Sequence, residues 1–350
     1  MKISAFACLI CCLFVQVATA CSTFFIHHNG QMVFGRNYDW VAGTGLLCSN
    51  QRGLSKTSYK MEDGRTISWT SKYGSLSFNQ YGKEFPTGGM NEKGLVVELM
   101  WLDETKYPKQ DERPAISVLQ WIQYQLDNAA SVEEVIASDK LLRISNTGAP
   151  LHYLVADAGG HAATIEFLEG RMVVHTGNKL SMPVLTNSVY AESVGYATEA
   201  LARNETGNSS SLGRFVTACD MVRRYQSGKA GAQLVDHSFK ILDAVKQGDH
   251  TKWSIVYDIS NRKVYFKTLD APQVKSVAFS ALAFSCRDAA VAFDINEQAR
   301  GDISKLFKPL TMEQNKKTLK ETASLSKNEV DISVQTQDAM ARYASLIGCR

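Results

Sequence analysis

Residues 18–39 read ATACSTFFIHHNGQMVFGRNYD, and this stretch decides the fold. From Cys21 to His28 it is rich in Thr, Phe and Ile, the composition of a strand. Asn29-Gly30 is the dipeptide of a tight hairpin turn. Met32 to Arg36 return as the second strand, which ends at Asn37-Tyr38-Asp39-Trp40. Upstream, Lys2 carries a positive charge and Ile3 to Val17 are almost wholly apolar. Ala18-Thr19-Ala20 is a small-x-small cleavage site, so residues 1–20 read as a secretory leader removed after Ala20. Removal makes Cys21 the first residue. One residue then holds a thiol nucleophile and a free α-amine, whose ordinary pKa of roughly 8 lets much of it act as a base near neutral pH.

A second reading of the same segment is a lipoprotein cysteine, acylated on sulfur and anchored. The two exclude each other, because a thioether-linked lipid destroys the nucleophile. Lipoprotein signals favour leucine three positions before the cysteine, and Ala18 stands there. The apolar run is shorter than the about 20 residues of a membrane span, and no later stretch is long enough. An exported protein, periplasmic or secreted and not inserted in the membrane, is expected.

The 350 residues carry 38 Lys and Arg against 35 Asp and Glu, a net charge of +3 without a dense basic cluster, so no nucleic-acid partner is implied. Cys8, Cys11 and Cys12 leave with the leader; Cys21, Cys48, Cys219, Cys286 and Cys349 remain. That odd number fits one free reactive thiol and up to two disulfides. Cys286 with Cys349 is the preferred bridge, while Cys219 reads as a buried helix residue. Spacing alone leaves the connectivity open. Beyond the leader there is no CxxC and no His/Cys cluster of metal spacing, so neither metal nor organic cofactor is expected.

Further strands are expected at Thr66 to Ser71, Leu76 to Phe78 and Gly94 to Leu99. Pro114 opens a helix whose Ile116, Leu119, Ile122 and Leu126 share a face, and Ser131-Val132-Glu133-Glu134 is a capping box for a second. Tyr153 to Asp157, Ala163 to Phe167 and Met172 to His175 form a meander. Phe215, Cys219, Val222 and Tyr225 mark a third helix, and Leu234, Ile241, Leu242 and Val245 a fourth. Trp253 to Asp258 and Lys263 to Thr268 form a hairpin around Asn261-Arg262. Strands, two helices, strands, two helices, strands describe an α+β, four-layer αββα sandwich of two antiparallel sheets between helical layers. The domain is expected over residues 21–295. Residues 296–350, more polar, form a helical extension packed on or peripheral to it. Asn204 and Asn208 head glycosylation sequons, for which a polar surface loop is the preferred reading unless the host is eukaryotic.

Amide hydrolysis by a thiol needs a nucleophile, a base, a group that holds the base, and donors for the oxyanion. Cys21 supplies the first two, the signature of an N-terminal-nucleophile amide hydrolase. Hairpin pairing brings Arg36 and Asp39 towards it: a carboxylate to orient the amine, a guanidinium to favour thiolate. Taken alone, the two also read as a surface ion pair at a strand end.

Cys21-Ser22-Thr23 followed by Gly35-Arg36-Asn37-Tyr38-Asp39 resembles the choloylglycine hydrolase family, which groups bile-salt hydrolases with penicillin V acylases. Gly89-Met90-Asn91-Glu92-Lys93-Gly94-Leu95, Leu185-Thr186-Asn187-Ser188, Ser211-Leu212-Gly213-Arg214-Phe215 and Trp253-Ser254-Ile255-Val256-Tyr257-Asp258 resemble further motifs of that family, in its order, as far as about residue 295. The resemblance implies Cys21 as nucleophile with its α-amine as base. Arg36 and Asp39 would position and polarise it, Asn187 would donate its amide to the oxyanion, and Arg214 would complete the charged network. It also implies a homo-oligomer, commonly a tetramer, and no cofactor.

Bile-salt hydrolases usually carry Asn near the end of the strand after the "N-E-K-G-L" segment, where this chain has Met100-Trp101. With Trp40 after Asp39, the paired tryptophans resemble the Gram-negative acylase branch, which acts on phenoxyacetyl amides and N-acyl homoserine lactones. Two indoles make a flat pocket for an apolar or aromatic acyl group, though both also read as core aromatics. The expected function is cleavage of a small-molecule linear amide, of the penicillin V or acyl-homoserine-lactone type. Conjugated bile-salt hydrolysis is the alternative, and a lipid-anchored, non-enzymatic binding protein the rival of another class. A papain-like cysteine hydrolase using a histidine finds no matching pattern around Cys21.

Overall fold

The computed structural model describes residues 21–228 and 233–349; the leader read at residues 1–20 lies outside them. The opening hairpin forms as its sequence predicts. β1 (Ser22–His28) and β2 (Gln31–Asp39) pair antiparallel, and Asn29 and Gly30 turn the chain at φ 50° and 75°. Two successive positive φ values define the turn that asparagine and glycine tolerate. Gly35 has a separate reason: Phe24 lies opposite it, and a Cβ there would fall 2.2 Å from the Phe24 ring.

This hairpin lies inside a seven-stranded sheet. Its order is Val184–Leu185, β1, β2, Thr251–Asp258, Lys263–Thr268, Lys275–Ala278 and Gly301–Asp302, with one parallel pair at the last edge. A nine-stranded antiparallel sheet faces it, ordered Arg171–Thr176, Ala162–Leu168, Leu151–Ala156, Val96–Trp101, Pro86–Asn91, Ser75–Asn79, Leu46–Asn50, Val291–Asp294 and Lys308–Pro309. α1 (Val118–Asn128) packs on the outside of the nine-stranded sheet, near α2 (Val132–Ala137). α3 (Tyr190–Ala202), α4 (Ser211–Gln226) and α5 (Leu234–Ala244) cover the other sheet. The result is the αββα sandwich. α6 (Met312–Leu325) and α7 (Val334–Tyr343) pack on one another.

Strand alternation sets the layers. Along Val96–Trp101, Val97 and Leu99 enter the core under α1, while Val96 and Met100 enter the core between the sheets. Glu98 therefore points between the sheets as well. The helix expected from Pro114 starts later. Ala115–Ile116 pair in parallel with Arg143–Ile144, and Ser117 caps α1 by accepting from the Gln120 N–H. Ile116 is thus a strand residue. Ser131 caps α2 as read, and Cys286 and Cys349 form the disulfide. Gly301–Asp302 and Lys308–Pro309 extend both large sheets, so the chain past residue 295 is continuous with the sandwich. Asn204 and Asn208 lie exposed in the loop between α3 and α4.

Candidate active site

Cys21 lies one step beyond the Ser22–Asn37 pair at the open end of β1, and only 4 % of it is exposed. It forms part of the wall of a cleft of about 450 Å³ shared with Asp39, Trp40, Leu99 and Trp101. Its Sγ lies 3.8 Å from the Asp39 carbonyl, which accepts the thiol hydrogen. Burial raises the thiol pKa above its ordinary value, and the nearby Arg36 cation opposes that rise.

Arg36 is wholly buried. Its Nη1 donates to the Thr87 carbonyl at 2.9 Å and to the Glu98 carboxylate, and the guanidinium stacks 4.6 Å from the centre of the Tyr38 ring. Glu98 is equally buried and also accepts from the Tyr257 hydroxyl at 2.5 Å. Burial raises the Glu98 pKa to about 7, against the pull of Arg36 and Tyr257. Gly88 makes room for this carboxylate: a Cβ there would fall 2.0 Å from Oε2. Arg36 is thus half of an internal ion pair, and the reading of a surface pair with Asp39 is corrected. Arg36 Nε and Nη2 have no hydrogen-bond partner among the described residues.

Removing Glu98 isolates that cation between two sheets. The Glu98→Ala protein should lose about 3–5 kcal/mol of stability, the scale for breaking a buried pair from one side. Urea unfolding of both proteins measures this; a loss under about 1 kcal/mol would mean that water reaches Arg36.

Asp39 ends β2 opposite Thr251, whose hydroxyl donates to Oδ1 at 2.5 Å. Oδ2 is buried without a partner among the described residues. Burial lifts the carboxyl to about 7, opposed by the Thr251 hydrogen bond and by the Arg214 and Arg36 cations.

The motifs around residues 187 and 214 form one knot. Ser211, in the first turn of α4, accepts the Asn187 N–H at 2.9 Å and the Ser188 hydroxyl at 2.9 Å. Its carbonyl accepts the Thr186 hydroxyl. One turn on, Arg214 donates from Nε to Ser22 Oγ at 3.1 Å and from Nη2 to Asn187 Oδ1 at 2.8 Å. Phe215 is buried in the core. Arginine can only donate, so it fixes the Asn187 amide with oxygen towards Arg214 and nitrogen away from it. One hydrogen of that nitrogen goes to the Trp101 carbonyl at 2.8 Å. Asn187 therefore has one amide hydrogen left for a ligand, not two. His152 supports the turn from behind, with Nε2 2.7 Å from the Thr186 carbonyl.

The structure thus brings together Cys21, Arg36, Asp39, Asn187, Arg214, Trp40 and Trp101. The tryptophan rings lie 6.1 Å apart at 33°. By contrast, Asn91-Glu92-Lys93-Gly94-Leu95 builds a turn: the Asn91 amide donates to the Leu126 and Ala129 carbonyls at the end of α1. Glu98, Thr251 and Ser22 escaped the sequence reading. Glu98 alone left a signal, a lone charge within the apolar run Val96-Val97-Glu98-Leu99-Met100 that requires a buried partner.

Two antiparallel sheets between helices, with a cysteine heading the first strand, define the N-terminal-nucleophile hydrolase sandwich. Residues 21–194 match the family model of the linear amide C–N hydrolases, choloylglycine hydrolase family. A penicillin V acylase from Pectobacterium atrosepticum is 31% identical over 194 residues, 49% of this chain and 50% of that protein. The match therefore spans about half the length of that curated relative. The structure of a penicillin V acylase from Agrobacterium tumefaciens matches with a TM-score of 0.72 at 25% identity, covering 83% of this chain and 98% of that one. A conjugated bile acid hydrolase variant from Clostridium perfringens shares the fold, with a TM-score of 0.67 at 17% identity over 79% of this chain and 98% of its own. Residues 21–194 belong to the choloylglycine hydrolase family.

Proposed function

We propose that this protein, activated by removal of residues 1–20, hydrolyses linear amides by acyl transfer to Cys21. The neutral α-amine takes the thiol proton, and Sγ bonds to the amide carbonyl carbon as the carbonyl electrons move to oxygen. Collapse restores the carbonyl and breaks the C–N bond, and the leaving nitrogen takes the proton from the α-ammonium. Water then attacks the thioester while the amine accepts its proton; the acid and the free thiol result. The remaining amide hydrogen of Asn187 supports an oxyanion-binding role, with Arg214 locking its orientation.

One observation carries the reading: among the described residues, no histidine lines the cleft that holds Cys21. This favours the Cys21 α-amine as the base, and Asp39 Oδ2 is a buried carboxylate oxygen lacking a donor that an α-ammonium would supply. The lipid-anchor reading finds no support in a cysteine whose sulfur is buried and hydrogen-bonded at the cleft. Trp40 and Trp101 favour an apolar or aromatic acyl group, hence substrates of the penicillin V or acyl-homoserine-lactone type over conjugated bile salts. A panel of penicillin V, penicillin G, long-chain acyl-homoserine lactones and conjugated bile salts tests this. Bile salts as the best substrates would reverse the assignment.

A pH profile separates the role of Asp39. Its anion stabilises the ammonium and raises the pKa of the amine; Asp39→Asn should therefore move the acid limb of kcat/KM to lower pH by roughly one unit, along with a lower maximum. An unmoved limb would mean that Asp39 does not face the amine. Before the amine is freed, Asp39 is protonated up to about pH 7 in the folded state and only to about 3.8 when unfolded. Unprocessed protein should accordingly lose stability as pH rises through that window.

A further inference from the structure

The chain past residue 310 contributes to the cleft as well as to the surface. The loop between α6 and α7 supplies Val330, Asp331, Ile332 and Ser333, and α7 supplies Met340, to the same cleft as Cys21, Trp40 and Trp101. Along residues 327–334 only Val330 and Ile332 are half-buried, while their neighbours are exposed, so these two turn inward. A second observation ties the helix pair to the tryptophan wall. Trp40 Nε1 donates to the Tyr81 hydroxyl at 3.1 Å, and that hydroxyl donates to Ser326 Oγ, the residue that ends α6, at 3.2 Å. The pair is firmly held. The Tyr343 hydroxyl donates to the Thr57 carbonyl at 2.7 Å, Asn315 accepts the Lys83 N–H at 2.8 Å, and the disulfide closes the terminus onto Cys286.

We propose that the C-terminal helix pair sets the acyl-length preference. Val330 and Ile332 bound an apolar subsite for the distal carbons of a medium-length or long alkyl acyl group, and Ser326 fixes Trp40 through Tyr81. This rests on the reading of the cleft as an acyl site. Each extra methylene buried there strengthens binding several-fold, whereas a chain too short to touch the wall gains nothing from it. A bulky residue in the wall therefore penalises long chains selectively.

The test is calorimetric titration of the purified protein with sodium decanoate and sodium butanoate. Wild-type protein should bind decanoate at least roughly tenfold more tightly. Ile332→Trp should cost decanoate roughly tenfold and leave butanoate within about twofold. Val330→Ala should weaken decanoate alone, and Val334→Ala, on the exposed side, should change neither. Equal effects on both acids, or decanoate binding untouched by both wall variants, would overturn the proposal. Hydrolysis of N-decanoyl and N-butanoyl amides, followed in parallel, reports on the catalytic reading separately. Loss of the wall effect with hydrolysis intact refutes only the subsite. Length-selective binding with no hydrolysis refutes only the chemistry.

Discussion

Cys21→Ala protein, processed so that residue 21 is still the first, should fold like wild type and turn over no amide. The α-amine survives in this variant, as do Arg36, Asp39, Asn187 and Arg214, so only the attacking atom is missing. Removing a nucleophile from an otherwise intact site costs at least about 10⁴-fold in kcat. Stability should change by only about 1 kcal/mol, because a single buried sulfur is lost beside a cleft that tolerates the gap. Cys21→Ser should be nearly as inactive, since a hydroxyl is a far poorer nucleophile than a thiol at neutral pH. The checks are steady-state turnover and urea unfolding side by side. Substantial turnover by purified Cys21→Ala would remove Cys21 from the chemistry.

An uncleavable extension before Cys21 should inactivate the protein while leaving its thiol in place. Acylating the α-nitrogen, as a peptide bond does, abolishes its basicity, and the preceding residue crowds the path to sulfur. General-base catalysis is worth about 10²–10⁴-fold, and the loss should be at least that large. Among the described residues no histidine lines the cleft to take over as base, so any residual rate would fall to the Asp39 carboxylate, which does line it. A full rate from the extended protein would locate the base elsewhere. The two experiments separate the two proposed functions of Cys21: substitution removes the sulfur and keeps the α-amine, whereas the extension keeps the sulfur and removes the basicity of the amine.

The hairpin was readable because it is local: Asn29-Gly30 dictates the turn, and the turn dictates that Arg36 pairs with Thr23, two residues from Cys21. α4 was equally readable, because Phe215, Cys219 and Val222 recur at the helical period and all are buried. α3 left a weaker signal. Its buried positions include Ser193, Ala197 and Ala200, small residues that do not stand out as an apolar stripe. At Pro114 the local signal misled, since pairing with Arg143–Ile144 overrides it.

Within the site, residues joined by long-range packing were the ones missed. Thr251 reaches Asp39 across 212 positions, and Glu98 reaches Arg36 across 62. Motif order placed Asn187 and Arg214 near Cys21. Only the structure showed that Arg214 fixes the direction of the Asn187 amide, and that Trp101 takes one of its hydrogens. The cleft wall at Val330 and Ile332 was illegible for a different reason. Two apolar residues in a polar loop acquire meaning only when the loop is laid against Tyr81 and Trp40.

The most direct test of Cys21 as an N-terminal nucleophile is mass spectrometry of the active protein, quenched in acid during turnover of penicillin V and mapped by peptide. The predicted result is a chain beginning at Cys21, carrying one phenoxyacetyl group on its sulfur while the α-amine remains free. An active protein with residues still attached before Cys21, a lipid on that sulfur, or an acyl group on any other side chain would contradict it.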